Sequence, residues 1–354
     1  MMPAAAVAPR TALRPPAARV AAVASAAGLV AFTAGVALGQ APAALAALAA
    51  SWLFFAGLAA GSVAFVAAVR LSRGRWAGPV LPTAEAAAGF FGPALVLLGV
   101  LVVGARAFVP WAAGAGAGQV AALAVRQLAP TAVLFGAGAR LVAAGRRPGG
   151  ERAATSAAVV YLVAYAAALS FWAYDWVLSL EAAPPATALP AYYFLGAFLC
   201  GLAWVALSAA LRGEGGPDLR HDLGKLLFGF VVVWSYLLWA LFLAAWYGGV
   251  PAEIAPLLAR WRGPWKPIAM ATLVAVFLWP FWLFLSERLK RRRDTLAAGA
   301  AAILVGLLAE RFLLVLPALP LRGGPGALAV GAGVTIGVAG LFALRVGVRI
   351  PARD

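Results

Sequence analysis

The stretch HDLGKLLFGFVVVWSYLLWALFLAAWYGGVPAEI, residues 221–254, decides the fold. It begins with a polar cluster, continues through more than twenty mostly apolar residues, and ends in a Gly-Pro turn that carries Glu253. An apolar run of this length can cross the roughly 30 Å hydrocarbon core of a bilayer as a helix. Because lipid cannot satisfy free backbone groups, the stretch predicts a transmembrane α-helix.

The polar start of this stretch contains His221, the only histidine of the chain, together with Asp222 and Lys225. Residues three or four positions apart share a helix face, so these side chains are expected to lie close together. Tyr236 follows Lys225 by eleven residues, which is roughly 16 Å along a helix. Such groups either belong to a functional path or mark the membrane surface.

The composition extends the prediction to the whole chain. The 354 residues are 64% hydrophobic and 11% charged, unlike a soluble domain. Ten apolar stretches cover approximately residues 20–39, 43–69, 86–105, 120–145, 154–178, 189–211, 222–246, 265–287, 295–317 and 327–348. We therefore expect an all-α polytopic membrane protein with a single ten-helix domain, residues 20–349, between tails formed by residues 1–19 and 350–354.

The distribution of Lys and Arg predicts the orientation. Of the 28 basic residues, 21 lie in the tails and loops on the side that holds both termini. Basic residues accumulate on the cytoplasmic side, so both termini are expected there. The strongest anchor is the run ERLKRRRD, residues 287–294. The net charge of +16 is thus a topology signal, and we expect no nucleic-acid partner.

The first apolar stretch follows Arg10, Arg14 and Arg19, an arrangement that signal peptides share. Its apolar part is about twenty residues, longer than the usual hydrophobic region of a signal peptide. The sequence therefore favours a retained helix over a cleaved signal. In the second stretch, Gly57 and Gly61 form a G-x-x-x-G pattern, which predicts a close helix contact.

The chain is poor in residues that hold redox centres. It has one cysteine, Cys200, and one histidine. These numbers exclude an internal disulfide, a Cys/His zinc site, an iron–sulfur cluster held by its own cysteines and a haem held by two histidines. We therefore expect no metal and no redox cofactor on this chain, and no catalytic residue can be assigned with certainty.

Acidic side chains gather toward the side opposite the termini. Tyr174, Asp175 and Glu181 close the fifth stretch, and Glu253 follows the seventh. Glu310 lies about fifteen residues into the ninth stretch, which is roughly 20 Å from its cytoplasmic end.

Charged groups at such depth cost several kcal/mol unless they are paired. Glu310 and Arg311 are adjacent, and adjacent residues on a helix point about 100° apart. We therefore expect them to find separate partners on other helices, with Asp175 as the partner of Arg311. These polar groups fit a proton relay, a quinol head-group site with a lipid-facing cleft for the tail, a solute-transport site, or ion pairs that fix helix register.

Several stretches together resemble a known family. They are FWAYDWVLSLE (171–181), AYYFLGAF (191–198), HDLGKLLF…WYGGVPAE (221–253), FLWPFWLFLSERLKRRRDTL (277–296) and the ninth-stretch pattern ending in LPAL (316–319). In order and spacing, residues 159–319 are similar to the F subunit (ActF) of alternative complex III. That family is a quinone-binding-type membrane subunit of bacterial quinol:electron-acceptor oxidoreductases, related to polysulfide-reductase membrane subunits.

The resemblance implies two four-helix bundles side by side, two peripheral helices and a location in the bacterial inner membrane. It implies three kinds of partner: multihaem cytochrome c subunits, an iron–sulfur/molybdopterin-like subunit and a homologous membrane subunit. The haem c groups and iron–sulfur clusters would belong to those partners, and quinol is the implied substrate. The chain itself would be a subunit without a redox centre.

The resemblance also implies roles for two sets of residues. The candidate proton path comprises His221, Asp222, Lys225 and Tyr236. The candidate outer polar cluster comprises Tyr174, Asp175, Glu181, Glu253, Glu310 and Arg311.

This chain departs from the family in two places. Residues 182–190 read AAPPATALP where the family has an aromatic, His-containing stretch, and Glu253 stands alone where two adjacent acids are common. Two other functions are therefore kept as alternatives. A secondary transporter would show inverted repeats and broken helices, and the third reading is a purely structural anchor.

Overall fold

The computed structural model describes residues 15–181, 188–320, 324–347 and 349–350. Within these ranges it does not describe the side chains of residues 15, 252 and 253. Regular structure in these ranges is entirely helical, and ten helices are long and apolar enough to span a membrane. In chain order they are α1 (Pro16–Ala37), α2 (Ala41–Leu71), α3 (Arg75–Phe108), α4 (Ala117–Gly145), α5 (Glu151–Leu180), α6 (Leu189–Arg212), α7 (Pro217–Gly248), α8 (Trp265–Leu285), α9 (Arg293–Ala318) and α10 (Pro325–Gly347). The predicted all-α polytopic fold is confirmed.

The ten helices form two four-helix rings. Helices α2, α3, α4 and α5 each pack against the next to make the first bundle, and α6, α7, α8 and α9 make the second in the same way. Helix α2 joins the bundles because it also packs against α6 and α9. Helices α1 and α10 pack against each other beside the first bundle, with α10 resting on α2. This is the arrangement that the family resemblance implied.

A short helix, Pro251–Arg260, lies between α7 and α8 where the sequence predicted only a loop. Helix α7 ends at Gly249, whose positive φ of 62° suits glycine, and Pro251 then occupies the first turn of the new helix. With ten residues it is too short to span a membrane, so hydrophobicity alone does not reveal it. We call this element the surface helix.

Two prolines inside predicted spans have different effects. Pro130 lies within α4, which continues through it as one helix. In α8, a π-helical segment at Val274–Leu278 immediately precedes Pro280. Proline removes a backbone donor, and a π-helical turn is a common way to absorb that defect, often at functional sites.

Helix α2 is the buried core of the domain, since neighbours cover it on all sides. Every residue from 44 to 67 is buried. A helix that is apolar around its whole circumference is the kind that such a position requires. Its many alanines and glycines keep it thin enough for seven other spanning helices to approach.

The predicted contact at Gly61 is confirmed. A Cβ at Gly61 would lie 2.0 Å from the backbone oxygen of Ala197 on α6, and one at Gly201 would lie 2.2 Å from the backbone nitrogen of Ser62. The two backbones therefore touch directly where the bundles join. Helices α1 and α10 cross in the same way, because a Cβ at Gly28 would lie 2.2 Å from the Cα of Gly337.

The α2–α6 contact makes a testable prediction. Gly61→Ala should lower the free energy of unfolding by about 1–3 kcal/mol, because the added methyl meets rigid backbone. Gly136 on α4 is the matched control, since a Cβ there meets nothing within 4 Å. Gly136→Ala should instead stabilise by about 0.4–1 kcal/mol. The measurement is thermal or denaturant unfolding in detergent, and equal behaviour of the two variants would contradict the contact.

Candidate functional site

Asp175 lies in a saturated hydrogen-bond network in the first bundle. Its carboxylate is buried and accepts from Arg126 Nε at 2.8 Å and Nη2 at 2.6 Å, and from Gln127 Nε2 at 2.6 Å. The expected pairing of Asp175 with Arg311 is therefore wrong. Arg126 is on α4, the neighbour of α5 within the first bundle, whereas Arg311 belongs to the second bundle.

Further hydrogen bonds extend this network and leave none of its buried side-chain polar atoms without a partner. Trp176 Nε1 donates to Gln127 Oε1 at 2.8 Å, and Trp172 Nε1 donates to Thr131 Oγ1 at 2.8 Å. Thr131 Oγ1 in turn donates to the backbone oxygen of Gln127 at 2.6 Å. Tyr174 is exposed, and its ring lies 5.9 Å from the Arg126 guanidinium. A network so fully satisfied fixes the register of α4 against α5 and offers little to a ligand.

Glu310 and Arg311 form the charged pair of the second bundle. Both residues are at least 97% buried, and Arg311 Nη1 lies 2.7 Å from Glu310 Oε2. The two long side chains bend back toward each other and form a pair, which the sequence did not predict, while each also has the expected contacts on other helices. The Arg311 guanidinium also lies 4.5 Å from the centre of the Tyr193 ring, a favourable cation–π distance.

The two oxygens of Glu310 differ in their bonding. Oε1 accepts from the Tyr192 hydroxyl on α6 and from Trp234 Nε1 on α7, the latter at 3.1 Å. Oε2 contacts Arg311 closely, yet neither it nor Arg311 Nη1 has a hydrogen bond of proper direction. The contact is therefore electrostatic, and Oε2 keeps bonding capacity for another group.

A cavity of about 100 Å³ lies beside Glu310, enclosed by α6, α7, α8, α9 and the surface helix. Its walls are mostly apolar and include Val177, Leu178, Leu189, Leu238, Leu241, Phe242, Leu257, Leu273, Leu313 and Leu314. Few polar groups reach it: Glu310, Tyr192, Trp234 and Thr272. The Thr272 hydroxyl is buried without a hydrogen-bond partner in the described chain. Apolar walls with a few polar groups are typical of small-molecule sites.

An ion pair also lines this cavity, where α5 meets the surface helix. Glu181 Oε1 accepts from Arg260 Nη2 at 2.8 Å. Arg260 additionally donates to the backbone oxygens of Pro256 at 2.6 Å, Leu313 at 2.9 Å and Leu314 at 3.1 Å. These bonds hold the surface helix against α9, so Arg260 closes one side of the cavity.

A groove on the surface between α7 and α8 adjoins the cavity. It has a volume of about 410 Å³ and is lined by Ser235, Leu238, Trp239, Phe242, Trp261, Leu273 and Phe277. Four of these residues, namely Leu238, Phe242, Trp261 and Leu273, line the cavity as well. Phe277 of this lining belongs to the π-helical segment of α8. The cavity and the groove therefore share part of their walls.

Of the four residues of the candidate proton path, the structure brings His221 and Asp222 into contact. His221 Nδ1 lies 3.5 Å from Asp222 Oδ1, and His221 Nε2 lies 4.0 Å from Glu287. Lys225 is exposed, and Tyr236 is 66% exposed on the outer face of α7. A proton path through these residues stays a prediction.

The surface cluster around His221 has a strong charge partner in Arg291. The hydrogen bond from Arg291, 3.1 Å long, and its positive charge lower the pKa of Glu287. Arg291 also bonds Asp218 at 2.6 Å. These contacts tie the start of α7 to the basic loop before α9, which is the surface role that charged residues at a span end commonly have.

Four parts of the sequence prediction fall outside the described residues. They are residues 1–14 of the predicted N-terminal tail, residues 182–187 of the altered loop, residues 351–354 of the predicted C-terminal tail and the side chain of Glu253, whose backbone belongs to the surface helix.

Five residues that bond the carboxylates of the two sites were not predicted from the sequence: Arg126, Gln127, Tyr192, Trp234 and Arg260. A usable signal existed for Trp234. Leu227, Val231, Trp234 and Leu241 of α7 are buried at spacings of four, three and seven along the helix, so Trp234 belongs to one buried stripe. Tyr236 lies two positions further on and consequently points away.

No protein-family model matches the chain, and no curated protein matches it either. Within the described ranges, no group of three or more His, Cys, Asp or Glu side chains is placed to hold a metal ion. The geometry of the two carboxylate sites is therefore the basis for any function.

The Asp175 network predicts a large effect of removing its cation. Arg126→Gln should lower the free energy of unfolding by about 3 kcal/mol, because it leaves a buried carboxylate without a positive partner. Arg146→Gln is the matched control. Its pair with Glu85 is 3.1 Å long and the Arg146 side chain is 51% exposed, so its loss should cost at most about 1 kcal/mol.

Unfolding in detergent measures both variants, and a double-mutant cycle assigns the partner. Asp175→Asn should couple energetically to Arg126→Gln and not to Arg311→Gln. Coupling to Arg311 alone, or equal losses for Arg126→Gln and Arg146→Gln, would contradict the network.

Proposed function

We propose that this chain is an integral membrane subunit of a bacterial quinol:electron-acceptor oxidoreductase, and that its Glu310 cavity binds the quinol head group. The observation that carries the proposal is a buried carboxylate that lines an apolar cavity next to a surface groove, with one oxygen held only by its ion pair with Arg311. The sequence resemblance to the alternative complex III subunit supports the same conclusion. In this role the chain anchors the complex and carries no redox centre of its own.

Quinol is the substrate class that best matches the cavity. It combines a flat ring, two hydroxyl groups and a long apolar tail, and it reaches its sites from within the bilayer. The groove between α7 and α8 has apolar and aromatic walls suited to the tail. The cavity supplies a carboxylate, Glu310, and an unpaired hydroxyl, Thr272, for the polar ends of the ring.

The proposed chemistry of this chain is proton acceptance. Oxidation of a quinol releases two protons and two electrons. In this proposal Glu310 takes a proton from a ring hydroxyl, and Arg311, whose Nη1 lies 2.7 Å from Glu310 Oε2, balances the carboxylate charge. Glu181 lines the same cavity and provides a second carboxylate for onward transfer. The electrons pass to the redox centres of partner subunits.

Binding of a quinol analogue tests this assignment. Glu310→Gln should weaken binding of a short-chain quinol to the purified chain by about tenfold or more, the usual value of a hydrogen bond to a charged group. Thr272→Val should weaken it less and keep the fold, since the two side chains have the same shape. Tyr236→Phe is the control, because Tyr236 faces outward on the same helix bundle.

Calorimetric titration in detergent measures these affinities, with melting curves to confirm that each variant folds. Unchanged affinity in both cavity variants would contradict the quinol site. Uptake of a polar solute by liposomes that contain this chain alone would favour a transporter instead.

Purification from native membranes tests the subunit role independently of the cavity. A tagged chain should bring down c-type cytochrome subunits in fixed proportion, detectable by haem absorbance and mass spectrometry. Recovery of the chain alone under mild detergent conditions would contradict membership in such a complex.

A further inference from the structure

A basic groove lies at the end of the first bundle where α2 ends and α5 begins. Its volume is about 930 Å³. Four arginines line it, namely Arg70, Arg73, Arg75 and Arg152, and Glu151 is the only acid among the lining residues. The groove is therefore strongly positive. Its lining residues are distant in sequence from Glu310.

Three of these arginines have no ion-pair partner among the described residues. Arg70 is the exception, because its Nη2 lies 3.2 Å from Glu85 Oε1. Glu85 is occupied on its other oxygen by Arg146, so it cannot serve the rest of the groove. Arg73, Arg75 and Arg152 are exposed and line the same groove, where Glu151 forms no ion pair with them. Positive charges brought together in this way repel one another unless an anion lies between them.

Arg73 lies in the turn that ends α2. Its φ is +53°, and it is the only non-glycine residue with positive φ in the described chain. The backbone N–H of Gly74 closes this turn on the oxygen of Val69 at 2.9 Å, as in the left-handed turns that commonly end helices. Glycine adopts this conformation freely, so position 73 tolerates glycine without backbone strain.

The start of α5 completes the polar side of the groove. Glu151 and Arg152 lie in its first turn, and Thr155 and Ser156 follow in the second. The Thr155 hydroxyl donates to the backbone oxygen of Glu151 at 2.9 Å, so the Ser156 hydroxyl is the donor available to a ligand. The free N–H groups at the start of a long helix carry partial positive charge and favour an anion. Hydroxyl groups, arginines and a helix start are the donors that phosphate groups use in proteins.

The same helix continues from the groove as an apolar lipid-facing surface. Val159 and Val163 follow Thr155 at intervals of four residues, so the three share one face. Val159 is 50% exposed and Val163 is 69% exposed. A polar groove at a helix end followed by an exposed apolar stripe matches a molecule with an anionic head and a hydrocarbon chain.

We propose that this groove binds an anionic phospholipid. The phosphodiester is held by Arg73, Arg75 and Arg152, and an acyl chain lies along Val159 and Val163. Basic pockets at the cytoplasmic ends of transmembrane helices bind such lipids. The predicted orientation places this end of the bundle on that side, where anionic lipid is available. The site is separate from the Glu310 cavity and independent of the function proposed for it.

Lipid titration of the purified full-length chain tests the proposal, with native mass spectrometry as the readout. Phosphatidylglycerol should bind more tightly than phosphatidylcholine. Arg73→Gly and Arg152→Gln should each weaken phosphatidylglycerol binding about fivefold, the usual effect of one basic residue near an anionic lipid. Because glycine suits the backbone at position 73, Arg73→Gly should not lower the melting temperature.

Arg140→Gln is the matched control, since Arg140 is exposed near the same end of α4 but lies outside the groove. It should leave phosphatidylglycerol binding unchanged. Equal binding of the two lipids, or an equal loss in Arg140→Gln, would overturn the proposal. Inorganic phosphate that displaces phosphatidylglycerol at equal concentration would assign the groove to a free anion and overturn the lipid assignment.

Discussion

Charged side chains inside membrane-spanning helices must find partners within the protein, because hydrocarbon offers none. The two buried carboxylates of this chain meet that requirement in different ways. The carboxylate of Asp175 accepts hydrogen bonds from Arg126 and Gln127 and has no acceptor position left for a ligand. Glu310 is neutralised by Arg311, yet one of its oxygens lacks a directed hydrogen bond and lies beside a cavity. The first arrangement is structural, and the second is the one that a ligand can complete.

The scaffold that positions Glu310 depends on close backbone contact along α2. Gly61 and Gly201 let α2 and α6 touch, and this contact holds the two bundles together. Helix α6 then presents Tyr192 to Glu310, and α7 presents Trp234. The π-helical segment before Pro280 lies on the side of the second bundle that faces the groove. Small residues therefore determine where the polar groups meet, although they take no part in the chemistry.

Local sequence patterns were sufficient for the helices but not for their partners. Apolar runs predicted all ten spans, and G-x-x-x-G predicted the contact at Gly61, because both depend on neighbouring residues. The partner of Asp175 depends on which helices become neighbours, so the sequence pointed wrongly to Arg311 instead of Arg126. The surface helix was missed because ten residues give no clear hydrophobic run. Tyr236 was predicted as a path residue because it is polar, whereas the helical spacing places Trp234 on the buried face of α7.

The central claim is that the Glu310 cavity receives a quinol from the lipid through the groove between α7 and α8. The most direct measurement is photolabelling of the chain in liposomes with a light-activated quinone analogue, followed by peptide mass spectrometry. Labels concentrated on residues that line both the groove and the cavity, such as Leu238, Phe242 and Leu273, and displaced by excess unlabelled quinone, are the predicted result. Labels spread over the lipid-facing surface without competition would contradict the account.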